Sequence, residues 1–168
     1  YLEEKFPGQK KKGVVISHDN RYFSREFTLE CVEILNKMGF NTFIFDSLRP
    51  TPELSYAVRW TGAIAGIMIT ASHNSKEYNG YKVYDEKGCQ IVPDKIARML
   101  EILSELPDEL SVKVPVSKQA GFNKVFDAKI DDDYVKDVKS IQINPDQNKI
   151  DFKIVYSPQH GTSYENAM

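Results

Sequence analysis

The chain has 168 residues, 41% of them hydrophobic, with 22 basic against 24 acidic side chains for a net charge of -2. That length holds one full domain with room for part of a second, and nine Phe with nine Tyr can fill a core. The charge balance excludes a basic nucleic-acid surface, no apolar run approaches the roughly 18 residues of a membrane span, and no signal-peptide pattern is visible.

In chain order the first element is a short β-branched strand at Gly13–Ser17. A helix is predicted over residues 24–38, with Ser24 as its cap and Phe27, Cys31, Ile34, Leu35 and Met38 on one face. Gly39 stops it. Asn41–Phe45 reads as the second strand. Thr51 caps a second helix, with Pro52 in its first turn and Glu53 favoured by the helix dipole, running to about Trp60. Gly62 breaks that helix, and a third strand ends at Ile69. Strand–helix–strand–helix–strand predicts a parallel sheet covered by helices on both faces. The next strand, Tyr81–Tyr84, follows after a segment too short for a parallel crossover and is predicted antiparallel. The expected fold is therefore a three-layer α/β/α domain with a mixed, mainly parallel sheet whose last strand is antiparallel.

A third helix is predicted over Asp94–Leu106, with Ile96, Met99, Leu100 and Leu103 inward and Pro107 ending it. Val112, Val114 and Val116 alternate as an edge strand would. Asp131–Ile141 reads as a helix whose acidic first turn, Asp131-Asp132-Asp133, suits the dipole and is rejected as a metal site. Ile150–Tyr156 reads as a strand that opens another domain, so residues 1–145 are expected to form one domain and 146–168 the start of the next. Lys10-Lys11-Lys12 reads as a solvated turn. Two cysteines make no disulfide framework, and Cys31 and Cys89 read as free thiols of a cytoplasmic protein. The chain begins at Tyr1 rather than Met, which reads as a portion of a longer protein.

The richest segment is Thr70-Ala71-Ser72-His73-Asn74, which follows the apolar run Ala63–Ile69, with Asn79-Gly80 and Lys82 close behind. A nucleophilic oxygen, a titratable ring and a fixed cation at one strand end point to group transfer. Thr70–Asn74 followed by Tyr78-Asn79-Gly80-Tyr81-Lys82 resembles the phosphoserine loop of the α-D-phosphohexomutases, the phosphoglucomutase and phosphomannomutase family. Ser17–Arg21 resembles the family's Asp-x-Arg turn, Thr51–Leu54 its Thr-Pro helix start, and Val155–Thr162 the opening of its second domain. Ser75 stands where the family usually has proline, which removes a φ constraint from the loop.

This resemblance implies a hexose-phosphate mutase domain, interconverting glucose 1-phosphate and glucose 6-phosphate through a 1,6-bisphosphate. Ser72 would be the phosphorylated residue and, through its phosphate, one magnesium ligand, with the remaining ligands outside this chain. Lys82 would neutralise charge and assist proton transfer, and His73 would contact substrate. Arg21, Asn74, Asn79 and Gly80 would support the loop or the substrate; His18 reads as structural, and His160-Gly161-Thr162 as a domain-junction turn. Magnesium and glucose 1,6-bisphosphate are the implied cofactors. The implied partners are a hexose phosphate and the remaining domains of the same polypeptide, with no nucleic acid and no membrane. The resemblance also implies that an N-terminal segment, the magnesium loop and the last domain lie outside this sequence, leaving the chain inactive by itself. Mannose or glucosamine phosphate are the alternative substrates. A non-catalytic sugar-phosphate-binding or packing module is the alternative of another class.

Overall fold

The strand β1 (Val14–His18) runs through the middle of the molecule, where β-branched residues can pack on both sides of the backbone. In the computed structural model, which describes residues 1–108, 110–144 and 153–168, β2 (Thr42–Ile44) and β3 (Ala65–Ile69) flank it in parallel. β4 (Tyr81–Tyr84) borders β3 antiparallel, as the short connection requires, and β5 (Asn123–Val125) borders β2 in parallel. The order is β4-β3-β1-β2-β5.

Alternation along β1 divides the interior into two layers of packing. Val14 and Ile16 face α2 (Ser24–Lys37) and α1 (Leu2–Lys5), where Ile64, Ile67 and Ile69 meet Cys31, Val32, Leu35 and Met38. Val15 faces the other way, toward Leu54, Ala57 and Val58 of α3 (Thr51–Thr61), Met68, Tyr84 and Ile130 of α5 (Lys129–Ser140). The predicted three layers are present. Gly66 is required at its place in β3, because a Cβ there would lie 2.7 Å from Val58 Cγ2.

Several expectations are corrected. Antiparallel β4 is not the last strand, since β5 follows it; Asn123-Lys124-Val125 is short and exposed, so it lacks the apolar signature of a strand. The alternating Val112, Val114 and Val116 form no strand, and Val116 is exposed. Ser24 and Thr51 are the first helical residues rather than caps; Phe23 and Pro50 hold the capping positions without a side-chain bond. Phe27 is exposed, and Thr28 takes the buried place beneath α2. Leu100 and Leu103 of α4 (Pro93–Glu105) are also exposed, not inward. Glu53 is wholly buried, far beyond a dipole contact. The start of the strand expected over Ile150–Tyr156 lies outside the described residues, and residues 153–156 form no strand. A short helix, α6 (Tyr164–Ala167), ends the chain. Cys31 and Cys89 are free, and burial pushes the Cys31 thiol up to about 11. No described helix is long and apolar enough to cross a membrane.

Candidate active site

Sheet register brings the two strand-end motifs together. His18 pairs with Ile69, and the Asp19 amide donates to the Ile69 carbonyl at 3.2 Å. The residues that follow β1 therefore lie beside those that follow β3. The chain leaves β1 for β2 on one side and later returns to β3 on the other, so this is the crevice where open α/β sheets bind ligands.

Asp19 organises the crevice. Its buried carboxylate accepts four donors: the Arg21 amide (3.0 Å) and Ser24 Oγ (2.9 Å) on Oδ1, and Arg21 Nε (3.0 Å) and Thr70 Oγ1 (2.6 Å) on Oδ2. A buried charge is tolerable only when satisfied in this way. Thr70 gives its proton to Asp19, so its oxygen accepts the Ser72 amide at 3.0 Å. Ser72 is held in the left-handed region, at φ 57°. That conformation costs a serine on the order of 1 kcal/mol or more and persists only where the surroundings enforce it.

Arg21 supplies most of that enforcement. Its guanidinium donates to the carbonyls of Ser72 (2.7 Å), Asn74 (2.6 Å), Ser75 (2.5 Å) and Tyr78 (3.1 Å). The planar fork matches a curled backbone as no ammonium could. The Ser75 carbonyl also accepts the Tyr78 amide at 3.1 Å, so hydrogen bonds hold the backbone where the proline constraint is missing. Asn79 closes the loop base: its Nδ2 donates to Ser24 Oγ (2.8 Å) and the Tyr22 carbonyl (3.2 Å), while its Oδ1 accepts the Gly80 amide (2.8 Å). Gly80 is needed there because a Cβ would sit 2.7 Å from the Thr70 carbonyl oxygen.

Lys82 sits on β4 opposite Met68, and its Nζ donates to Ser72 Oγ at 2.6 Å. Ser72 Oγ is thus an exposed hydroxyl with a cation against it, an arrangement that favours negative charge on that oxygen. His73 and Asn74 are exposed and line a cleft of about 970 Å³ with Asp19, Arg21 and Ser72. The other wall is Pro158–Thr162, with Gln159 at φ 50°. The turn at His160-Gly161-Thr162, read from sequence as a domain junction, thus borders the same cleft. His18 lies outside it, its Nδ1 2.7 Å from the Asp19 carbonyl oxygen, in a smaller cavity of about 250 Å³ with Arg25 and Asp46.

Seven sequence candidates, Arg21, Ser72, His73, Asn74, Asn79, Gly80 and Lys82, meet at this one loop. Sequence reasoning missed the work of Asp19, Thr70 and Ser24. Asp19 stood in a quoted motif, but nothing in the sequence shows that it collects four donors. The residues do not by themselves fit a magnesium ion. Among the described residues Asp19 is the one carboxylate lining the cleft and is fully engaged, and they contain no group of three His, Cys, Asp or Glu placed to hold a metal. Asp131 is occupied by Arg49 at 2.7 and 3.0 Å.

The family model for phosphoglucomutase/phosphomannomutase, alpha/beta/alpha domain I, matches residues 1–109. A phosphoglucomutase of Staphylococcus epidermidis is 38% identical over 152 residues, covering 89% of this chain and 28% of the relative. A phosphoglucomutase of Staphylococcus aureus strain USA300 is 39% identical over the same length, with 27% of it covered. The chain therefore spans little more than a quarter of these relatives. Among solved structures, one from Thermus thermophilus assigned as a phosphomannomutase superposes with TM-score 0.60 at 31% identity, over 76% of this chain and 26% of that one. A phosphoglucomutase/phosphomannomutase family protein of Burkholderia thailandensis shares the fold, with TM-score 0.58 at 22% identity over 77% of this chain and 27% of its own.

Proposed function

The chain belongs to the phosphoglucomutase/phosphomannomutase family through its alpha/beta/alpha domain I, and from that premise we propose that Ser72 carries the transferred phosphoryl group of a hexose-phosphate mutase. The observation behind this reading is the 2.6 Å contact between Lys82 Nζ and Ser72 Oγ at the sheet's ligand crevice. With Ser72 phosphorylated, a sugar hydroxyl forms a new bond to phosphorus as the P–Oγ bond breaks, and its proton passes to the released Oγ. The resulting bisphosphate returns its other phosphoryl group to Ser72 Oγ as the bond from that phosphorus to its sugar oxygen breaks, and the serine proton passes to the released sugar oxygen. In the first step Oγ gains charge as a leaving group, and the Lys82 ammonium stabilises it there. In the second the same cation steadies the attacking oxygen. Phosphoryl transfer asks mainly for positioning and charge compensation. Asp19, Thr70 and Arg21 position Ser72, while His73 and Asn74 face the sugar phosphate.

The preferred substrate on this reading is glucose phosphate, as the matched curated relatives are phosphoglucomutases, with mannose or glucosamine phosphate as alternatives. Residues 1–145 form the first domain and 146–168 the opening of the second. Magnesium would supply charge neutralisation to the phosphate on Ser72, with its other ligands and the substrate-phosphate grip coming from chain beyond this sequence. Glucose 1,6-bisphosphate would act as the activator and intermediate.

Two results are expected. Peptide mapping of the protein isolated from its source should place a phosphate on Ser72; a phosphate on Thr70 or Ser75 instead would overturn the assignment. The 168-residue chain alone should unfold cooperatively yet show no turnover of glucose 1-phosphate with magnesium and glucose 1,6-bisphosphate added. Ordinary enzyme rates in that coupled assay would show that the chain assembles a complete site.

A further inference from the structure

Away from the transfer loop, one buried polar cluster has no part in the chemistry above. Glu53, in the first turn of α3, is 0% exposed. Its Oε2 accepts Asn166 Nδ2 of α6 at 3.0 Å, and Arg49 Nε lies 4.0 Å away. Arg49 is itself buried and gives its fork to Asp131, with a further bond to Asp46 Oδ1 at 3.0 Å. Among the described residues, the buried Glu53 Oε1 and Asn166 Oδ1 have no hydrogen-bond partner.

Two carboxylates, Glu53 and Asp131, share one guanidinium in a buried setting, and such a set relaxes by taking up a proton. A proton on Glu53 Oε1 converts an orphaned acceptor into a donor, for Asn166 Oδ1 or for Asp131. Burial foremost, with the Asp131 carboxylate beside it, pushes the Glu53 carboxyl up to about 8, outweighing the Asn166 amide and the Arg49 guanidinium, which both favour its charged form. Burial works against the charge on Asp131, but Arg49 and Glu53 hold its carboxyl below the usual range. Tyr134 also faces Glu53, and its phenol is raised first by burial and then by that neighbour.

What Asn166 carries matters for the cleft. It stands four residues beyond Thr162, the end of the Pro158–Thr162 wall, while Thr51, two residues before Glu53, lines the cleft from α3. We propose that Glu53 is a positioning residue for the transfer site: through Asn166 it fixes the Pro158–Thr162 wall relative to Ser72. The wall is latched while Glu53 is neutral and is released as Glu53 ionises. The sign follows from the raised carboxyl. The folded state holds a proton that the unfolded chain gives up near the ordinary glutamate value of 4.5, so the stability Glu53 contributes is full below that value and lost as pH rises through about 8. Asp131, with its lowered carboxyl, acts in the opposite sense and only in acid.

The relevance to transfer rests on the mutase reading, but the latch can be tested without it. Amide exchange of residues 158–167 in the 168-residue chain, corrected for intrinsic rates, should be protected at pH 6 and about tenfold faster at pH 9. Asn166→Ala should show the fast rate at both pH values. Glu53→Gln, which is neutral and can both donate and accept, should keep the protection at pH 9. Equal exchange in the native chain and Asn166→Ala, or a pH-dependent loss that persists in Glu53→Gln, would overturn the latch. A phosphate missing from Ser72 would overturn the mutase reading and leave the exchange result standing.

Discussion

Replacing Lys82 with alanine in the enzyme that carries this domain should lower kcat by about 10²-fold or more, the usual cost of losing one preorganised electrostatic group. The reason is geometric. Lys82 Nζ is 2.6 Å from Ser72 Oγ, and on the proposed mechanism that oxygen bridges to the phosphoryl group and becomes anionic as the P–O bond breaks. That interaction is stronger in the transition state than with the bound sugar phosphate, so the loss falls on kcat more than on KM. Lys82→Arg keeps the charge but swaps a point cation for a wider fork, and should recover only part of the rate. Steady-state kinetics on the three proteins decides the matter. An unchanged kcat in Lys82→Ala would make this an ordinary surface lysine.

Arg21→Ala should be the most damaging single change to the loop. It removes the donors to four carbonyls and the Nε donor to Asp19. The Arg21 amide remains in the variant, so the side chain's own share is the salt bridge at 3.0 Å and the carbonyl fork. Leaving a buried carboxylate short of its cation costs about 3 kcal/mol, which for a chain of this size lowers Tm by roughly 6–12 °C. Calorimetry measures the first effect. Amide exchange over residues 71–80 measures the second, and should rise there while the β1 and β3 core stays protected. Arg21→Lys retains a cation for Asp19 but cannot reach four carbonyls, so it should restore much of the Tm and little of the loop protection. A Tm change within about a degree for Arg21→Ala would show that the loop holds itself.

The first four strands and the helices between them could be read from sequence because each has a distinct period and a punctuating residue. Ala63–Ile69 is apolar throughout because β3 is buried on both faces, and Gly39 ends α2 at φ 89°. β5 could not be read, because Asn123-Lys124-Val125 owes its strand conformation to β2, about eighty residues earlier, and not to its own composition. The alternating valines at 112–116 carried the expected signal without a neighbouring strand to pair with. The exposed faces of Phe27, Leu100 and Leu103 misled for a related reason: amphipathic spacing says which residues share a face and not whether anything covers it. At the site, Ser72 and Lys82 are visible as residue types at a set spacing. The roles of Asp19, Thr70, Arg49 and Glu53 arise from partners brought near by folding, and no local pattern encodes them.

The antiparallel turn of β4 has a consequence for how the site is assembled. Ser72 and Lys82 are only ten residues apart, and β3 and β4 pair Ile69 with Tyr81 and Met68 with Lys82 directly beside the loop. Ser72 Oγ and the Lys82 ammonium therefore belong to one hairpin and are brought together at the low entropic cost of a short loop. The Glu53–Asn166 contact closes a span of 113 residues instead. Strand pairing thus brings oxygen and ammonium near each other, and the Arg21 fork and Asn79, which bond the loop from outside the strands, set the final geometry.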